Sequence, residues 1–176
     1  MKNILVIGES HHGTHLKTIK GIFDDLNHLD KIFIELPISH QNSVDSYLET
    51  SNLDDILNKT FEGALKEGNN IKDTILFILD FARKLNISVF CIDSSKFQTD
   101  EFNKVSSHGR WFLRGESRDE DMFNNFVENY DKNEKVIVVC GANHLVDSLH
   151  FRTGLETFGT KLKNKFGGDL EKIILK

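Results

Sequence analysis

The sequence lacks the features that define several large classes of protein. Its longest apolar runs, at residues 75–79 and 136–140, are far shorter than the ~20 residues that a membrane-spanning helix needs. Met1 leads directly into a strand-like segment without the pattern of a signal peptide. The basic residues are scattered and the net charge is −5, so no basic stripe could follow a nucleic-acid backbone. We therefore expect a cytoplasmic protein that binds neither membranes nor nucleic acids.

Cysteine is also scarce. The only two, Cys91 and Cys140, each lie inside an apolar run, and they form neither a CxxC pair nor another metal-ligand spacing. We expect buried, reduced thiols, with a nucleophilic role for Cys140 as a minor alternative. Because 39% of the 176 residues are hydrophobic, the chain can form a packed core, and its length predicts a single domain over residues 1–176.

Short, continuous apolar runs predict strands that are buried on both faces. Four such strands begin near Ile4, Ile32, Ser88 and Val136, and residues 172–175 are a candidate for a fifth. Helical periodicity separates these runs. It predicts a helix from Leu16 to near Asp30, two or three helices within 40–86, a helix that opens at Ser117 with Glu120 at the capping-box position, and a weak helix at 154–166. The segment 94–117 shows no sustained period and is predicted to be a loop.

Alternation of strands and helices indicates an α/β fold, with a mostly parallel sheet of about four to five strands between layers of helices. In such sheets, ligands bind beyond the carboxyl ends of the strands. Polar side chains occur at that point after each of the four main strands: Glu9, His11, His12 and His15 after the first, Glu35 in the second, Asp93 in the third, and Asn143 and His144 after the fourth.

A histidine beside a carboxylate is held in one tautomer and can act as a general base near neutral pH. The pattern therefore favours activation of water. The same histidines are also compatible with a metal site, because His12 and His15 would lie on one face of a helix as two ligands. The HExxH pattern of zinc proteases is absent. We expect no cofactor and no metal.

An arginine at the predicted start of the helix after 94–117 is a further candidate. Arg118 could clamp a carboxylate or stabilise an oxyanion, because a cation at a helix N-terminus is otherwise mildly unfavourable. Arg110 and Arg114 precede it, and Trp111 and Phe112 could form the wall of a pocket or simply pack under a loop.

In combination, several motifs make this sequence resemble the erythromycin esterase-like group, in the superfamily that also contains ChaN-like haem-binding proteins. They are GESHHGTHLKTI, IFIELP, RDEDMFNNF, VIVVCGANHL and FGTKLKNKFGGDL, which occur in order over roughly residues 3–175. The resemblance implies a catalytic set of Glu9, His12, Glu35, Arg118 and His144, in which His12 activates water. His11, His15, Asp93 and Asn143 would then contact the substrate.

The chain is considerably shorter than the macrolide esterases, and only the helices within 40–86 could cover the site. We therefore expect a small-molecule ester or related acyl compound rather than a macrolide. Two alternatives remain open: a ChaN-like protein that binds haem or a metal through His12, His15 and His144, and a metal-dependent hydrolase like the related TraB and Tiki proteins. The sequence does not indicate the oligomeric state.

Overall fold

Five parallel strands form the centre of the molecule in a computed structural model. The structure describes residues 2–10, 15–95, 107–146 and 156–175, without the side chains of 107–117. In sheet order β3-β2-β4-β1-β5, the strands are β1 (Ile4–Glu9), β2 (Lys31–Pro37), β3 (Ser88–Asp93), β4 (Val136–Gly141) and β5 (Leu170–Ile174). Neighbouring strands pair in parallel throughout, which confirms the predicted α/β class.

Six helices cover the two faces of this sheet in the part of the chain that the structure describes. They are α1 (Leu16–Asp24), α2 (Gln41–Thr50), α3 (Asp55–Lys66), α4 (Lys72–Leu85), α5 (Ser107–Asn129) and α6 (Phe158–Phe166). Short 3₁₀ turns follow β2 (Ile38–His40), β4 (Ala142–Leu145) and α6 (Gly167–Asp169). None of the described helices is both long and apolar enough to cross a membrane.

Each face of the sheet has its own apolar core, because side chains alternate along a strand. Residues such as Leu5, Ile7, Ile32 and Ile34 pack against α1 to α4, whereas Ile4, Val6, Phe33 and Val138 pack against α5 and α6. Phe33 and Phe126 of α5 meet edge to face, with ring centroids 4.7 Å apart. The two cores fix the sheet between its helices, and because the strands are parallel, their carboxyl ends lie together at one edge.

Several predicted boundaries are wrong. The largest shift is that of the start of α5, which lies at Ser107 rather than at Ser117. Part of the predicted loop is therefore helical. Ser117 lies inside this helix and is not its N-cap. The Ser-x-x-Glu spacing is also compatible with a helix interior, and residues 107–117 lack the apolar period that would have revealed the earlier start.

Other boundaries shift by smaller amounts. The first helix ends at Asp24 rather than near Asp30, and α6 begins at Phe158 rather than at residue 154. The fifth strand starts at Leu170, two residues before the predicted segment. The stretch 40–86 contains three helices, in agreement with the upper prediction.

Candidate active site

Glu35 lies at the centre of a buried charge network at the carboxyl edge of the sheet. Strand alternation directs it to the same face as Phe33, toward α5, and the pairing of β2 with β3 shifts by one residue between Ile34 and Pro37. A bulge of this kind re-aims side chains and is common beside functional sites. Oε2 of Glu35 accepts a hydrogen bond from the backbone N–H of Gly141 at the end of β4.

Arg118 of α5 crosses this edge and joins two strands. Its Nη2 donates to Oε1 of Glu35 at 2.5 Å and to Oδ2 of Asp93 at 2.7 Å, and its Nε donates to Oδ1 of Asp93 at 2.6 Å. The two contacts to Asp93 form a bidentate pair, the geometry that the guanidinium plane favours. Burial opposes the charge on Arg118, but Glu35 and Asp93 outweigh this effect and raise its pKa above the ordinary value.

His144 is held between two carboxylates. Its Nδ1 contacts Oδ1 of Asp119, and its Nε2 lies 3.4 Å from Oε1 of Glu35. Burial alone would lower the pKa of His144, but the charge of Glu35 and the hydrogen bond with Asp119 raise it to about 10. The ring is therefore an imidazolium at neutral pH, a donor of charged hydrogen bonds rather than a base.

A close approach of the backbone fixes the position of His144. The 3₁₀ turn Ala142–Leu145 packs directly on Gly8 of β1, where an added Cβ would lie 2.8 Å from Cδ1 of Leu145 and 3.0 Å from the Cα of Ala142. Leu145 itself is fully buried. A larger residue would press on this turn, so the glycine in β1 allows the close approach of the segment that carries His144.

The remaining predicted residues either have other positions in the described structure or lie outside the described part of the chain. Glu9 is 4% exposed and accepts a hydrogen bond from Thr74 of α4 at 3.4 Å, so it reaches the edge from the other face of the sheet. His15 contacts Oγ of Ser10 through Nε2 at 3.0 Å, and Asn143 is exposed in the 3₁₀ turn after β4. His11 and His12 lie outside the described residues, as do the side chains of Arg110, Trp111, Phe112 and Arg114.

The structure corrects the argument for Arg118, which is not at a helix start but eleven residues into α5. Its role follows instead from its contacts with Glu35 and Asp93. The described contacts make Asp93 an anchor for Arg118, and its expected contact with a substrate stays a prediction. Asp119 was missed by the sequence analysis. The helical spacing of Asp119, Met122 and Phe126 could have placed it on the inward face of α5, but this spacing gives it no partner and no role.

A cleft of about 390 Å³ opens beside the network. Glu35, Asp93 and Arg118 line it together with residues of α3, such as Lys59, and of the loop between α3 and α4, such as Glu67. Pockets for small ligands begin at about 300 Å³, so the cleft fits a small molecule. Among the described residues, no group of three or more His, Cys, Asp and Glu side chains is arranged to hold a metal ion.

Neither protein-family models nor curated protein sequences match this chain. Solved structures do. A mutant erythromycin esterase in its open conformation superposes with a TM-score of 0.64 at 11% identity, over 98% of this chain and 69% of that one. The fold predicted from the resemblance is thereby confirmed: the chain has the α/β fold of an erythromycin esterase.

Two bacterial toxins share the same fold. The C-terminal region of Pasteurella multocida toxin, described as having a thiol-protease-like catalytic triad, matches with a TM-score of 0.66 and 18% identity over 99% of this chain. A MARTX toxin effector domain from Vibrio vulnificus matches with a TM-score of 0.62 and 19% identity over 99% of this chain. The chain spans only 23% and 33% of these two structures, respectively.

Proposed function

We propose that the chain hydrolyses an ester or related acyl bond of a small molecule, with His12 as the general base that activates water. The observation that carries this proposal is the pair of cations, Arg118 and His144, held by Glu35 beside the cleft. Hydrolysis of an acyl bond passes through a tetrahedral oxyanion, which fixed cations in a buried site stabilise.

The reaction balances with a single base. His12 accepts a proton from water as the oxygen of that water bonds to the acyl carbon. The bond from this carbon to the leaving oxygen then breaks, and the leaving alkoxide takes the proton from His12. The base must be a residue other than His144, because the raised pKa of His144 keeps it protonated.

A thiol nucleophile, suggested by the description of the Pasteurella toxin, receives no support from the cysteines of this chain. Cys91 and Cys140 are the only two, and both are buried. Burial raises the pKa of each thiol, so neither forms the thiolate that attacks an acyl carbon.

The size of the cleft supports a small substrate. Its volume of about 390 Å³ is at the lower end of the range for ligand pockets, and residues of α3 form part of its lining.

A panel of small esters and lactones tests the proposal. We expect turnover by the wild type and a loss of roughly 10²- to 10⁴-fold in His12→Asn, the usual contribution of a general base. His28→Asn is the matched control, because His28 is exposed in the loop before β2, at the other edge of the sheet. Melting temperatures verify folding.

Each assay is repeated after dialysis against a chelator. Unchanged activity supports a reaction without a metal, whereas loss of activity that zinc or manganese restores would replace it with a metal-dependent hydrolase. Turnover of His12→Asn at the wild-type rate would refute the role of His12. Failure of the wild type on every ester and lactone would count against the hydrolase.

A further inference from the structure

Asp119 is the member of the network to which neither the motifs nor the resemblance gave a role. It is 1% exposed, and its Oδ1 contacts Nδ1 of His144. It follows Arg118 directly in α5, so two consecutive residues of one helix supply one cation of the site, Arg118, and the carboxylate that contacts the other cation, His144. Arg118 contacts carboxylates of β2 and β3, whereas Asp119 contacts the imidazole beyond β4.

The two sides of the His144 ring are not equivalent. The Nδ1 side is in direct contact with Asp119, whereas Nε2 is 3.4 Å from Oε1 of Glu35, longer than the usual 2.9–3.0 Å of an N–H···O hydrogen bond. Oε1 of Glu35 is also shared with Arg118 at 2.5 Å. The contact of Nε2 with Glu35 is therefore the longer of the two, and Glu35 is one of the residues that line the cleft.

We propose that Asp119 is a positioning residue that holds His144 through Nδ1, so that its Nε2–H can leave Glu35 and donate to the oxyanion of the substrate. This inference rests on the proposed hydrolase. Asp119 itself does not touch the substrate. It keeps the ring oriented and charged while the partner of Nε2 changes, as carboxylates commonly do for functional histidines.

The charges around His144 support a specific role for Asp119. Glu35 on β2 and Asp119 on α5 both favour the imidazolium and together raise the pKa of His144 to about 10. During the reaction Glu35 would be displaced from Nε2, although it stays bonded to Arg118 and Gly141. Asp119 would then be the carboxylate that remains in contact with the charged ring.

The test uses Asp119→Asn, which keeps the shape of the side chain and removes its charge. Glu120→Gln is the matched control, because the neighbouring Glu120 is half exposed and pairs with Lys161. The side-chain nitrogens of His144 are followed by NMR as a function of pH, and the signal is assigned with His144→Gln. In parallel, kcat and KM are measured on the best ester of the panel.

We expect the titration midpoint of His144 to fall by at least one pH unit in Asp119→Asn and to stay unchanged in Glu120→Gln. We expect kcat to fall about 100-fold, with KM within about threefold, because the lost interaction acts on the transition state. A residue that served stability alone would lower the melting temperature without moving the titration of His144.

An unchanged midpoint in Asp119→Asn would overturn the inference, and so would a change in KM alone. If that variant does not fold, the wild type decides the question: a far-downfield Nδ1–H proton at pH 7 supports the contact, and a neutral His144 refutes it. The NMR result stands independently of the ester panel. An inactive wild type with the expected titration would refute the hydrolase but not the hold of Asp119 on His144.

Discussion

The two edges of the sheet carry similar charged residues in different surroundings. At the amino edge, Nζ of Lys31 lies 2.9 Å from Oε1 of Glu134, and both side chains are about one quarter exposed. At the carboxyl edge, Glu35 and Asp93 are 8% and 10% exposed at the side chain, and they bind Arg118 between them. An ion pair that keeps contact with water contributes little to stability. Buried charges cost several kcal/mol in desolvation, and only a partner of opposite charge compensates this cost.

This difference favours the carboxyl edge as the candidate functional site. Packed apolar side chains would hold β2, β3 and α5 together at least as well as Glu35, Asp93 and Arg118 do. A buried network that costs free energy is more simply explained by chemistry than by stability. At the amino edge, Lys31 also donates to the backbone carbonyl of Asn129. Its contacts are those of a partly exposed residue that links the start of β2 to the end of α5.

Cavity volume does not distinguish the two edges. A depression of about 460 Å³, larger than the cleft, lies beside the first half of β3 and is lined by Gln41, Asp45 and Arg83, among others. The Gln41 amide bonds the exposed edge of β3, donating to the carbonyl of Val89 and accepting from the N–H of Cys91, both at 2.8 Å. The amide of Gln41 in this depression is therefore engaged in hydrogen bonds to the backbone of β3. The cleft beside the charge network is the better candidate site.

Removal of Arg118 should have the largest effect on stability. In Arg118→Met, Glu35 and Asp93 lose a shared cation while they stay buried, and we expect a loss of about 3–5 kcal/mol in the free energy of unfolding. Urea denaturation provides the measurement. Glu134→Gln at the amino edge is the counterpart and should cost less than about 1 kcal/mol. Equal losses in the free energy of unfolding would mean that the charges at the two edges do not differ in their effect on stability.

Gly8→Ala should have an intermediate effect. The new methyl group would collide with Leu145 and with the backbone of Ala142, so the turn that carries His144 must move, at a cost of about 1–3 kcal/mol. Gly21→Ala in α1 meets open space and should gain roughly 0.5–1 kcal/mol, because alanine favours a helix interior. Thermal unfolding of both variants measures the difference. An unchanged melting temperature in Gly8→Ala would mean that the turn tolerates displacement.

The pH dependence should be the smallest of the three effects. Because the pKa of His144 is raised from 6.5 to about 10, its stabilising protonation is complete below pH 6.5 and is lost as the pH rises to 10. We expect a fall of about 1 kcal/mol in the free energy of unfolding between pH 7 and pH 8. The measurement is urea unfolding of wild type and of His144→Gln, since buried thiols, which also lower stability at alkaline pH, cancel in the difference. Parallel pH curves would contradict the assigned imidazolium.

Much of the fold followed from local pattern. Strands β1 to β4 are continuous apolar runs, and the helices of 40–86 repeat their apolar residues every three or four positions, so both were predictable. The start of α5 was not, because residues 107–117 carry no apolar period. Nor was the role of Asp119, since an acidic residue among Glu120 and Asp121 becomes distinctive only when α5 packs it inward.

The sequence by itself determined that polar side chains gather where the strands end, because parallel strands present their carboxyl ends at one edge. The tertiary structure decided which of them meet. It inserts β4 between β1 and β2, which places Gly141 against Glu35 and His144 within reach of it, across more than 100 residues of chain. Strand order depends on how the two helical layers pack over the whole sheet, and no local pattern encodes it. The balance of charge at the site follows from that packing, since it brings the carboxylates of Glu35 and Asp119 close enough to raise the pKa of Arg118 and of His144.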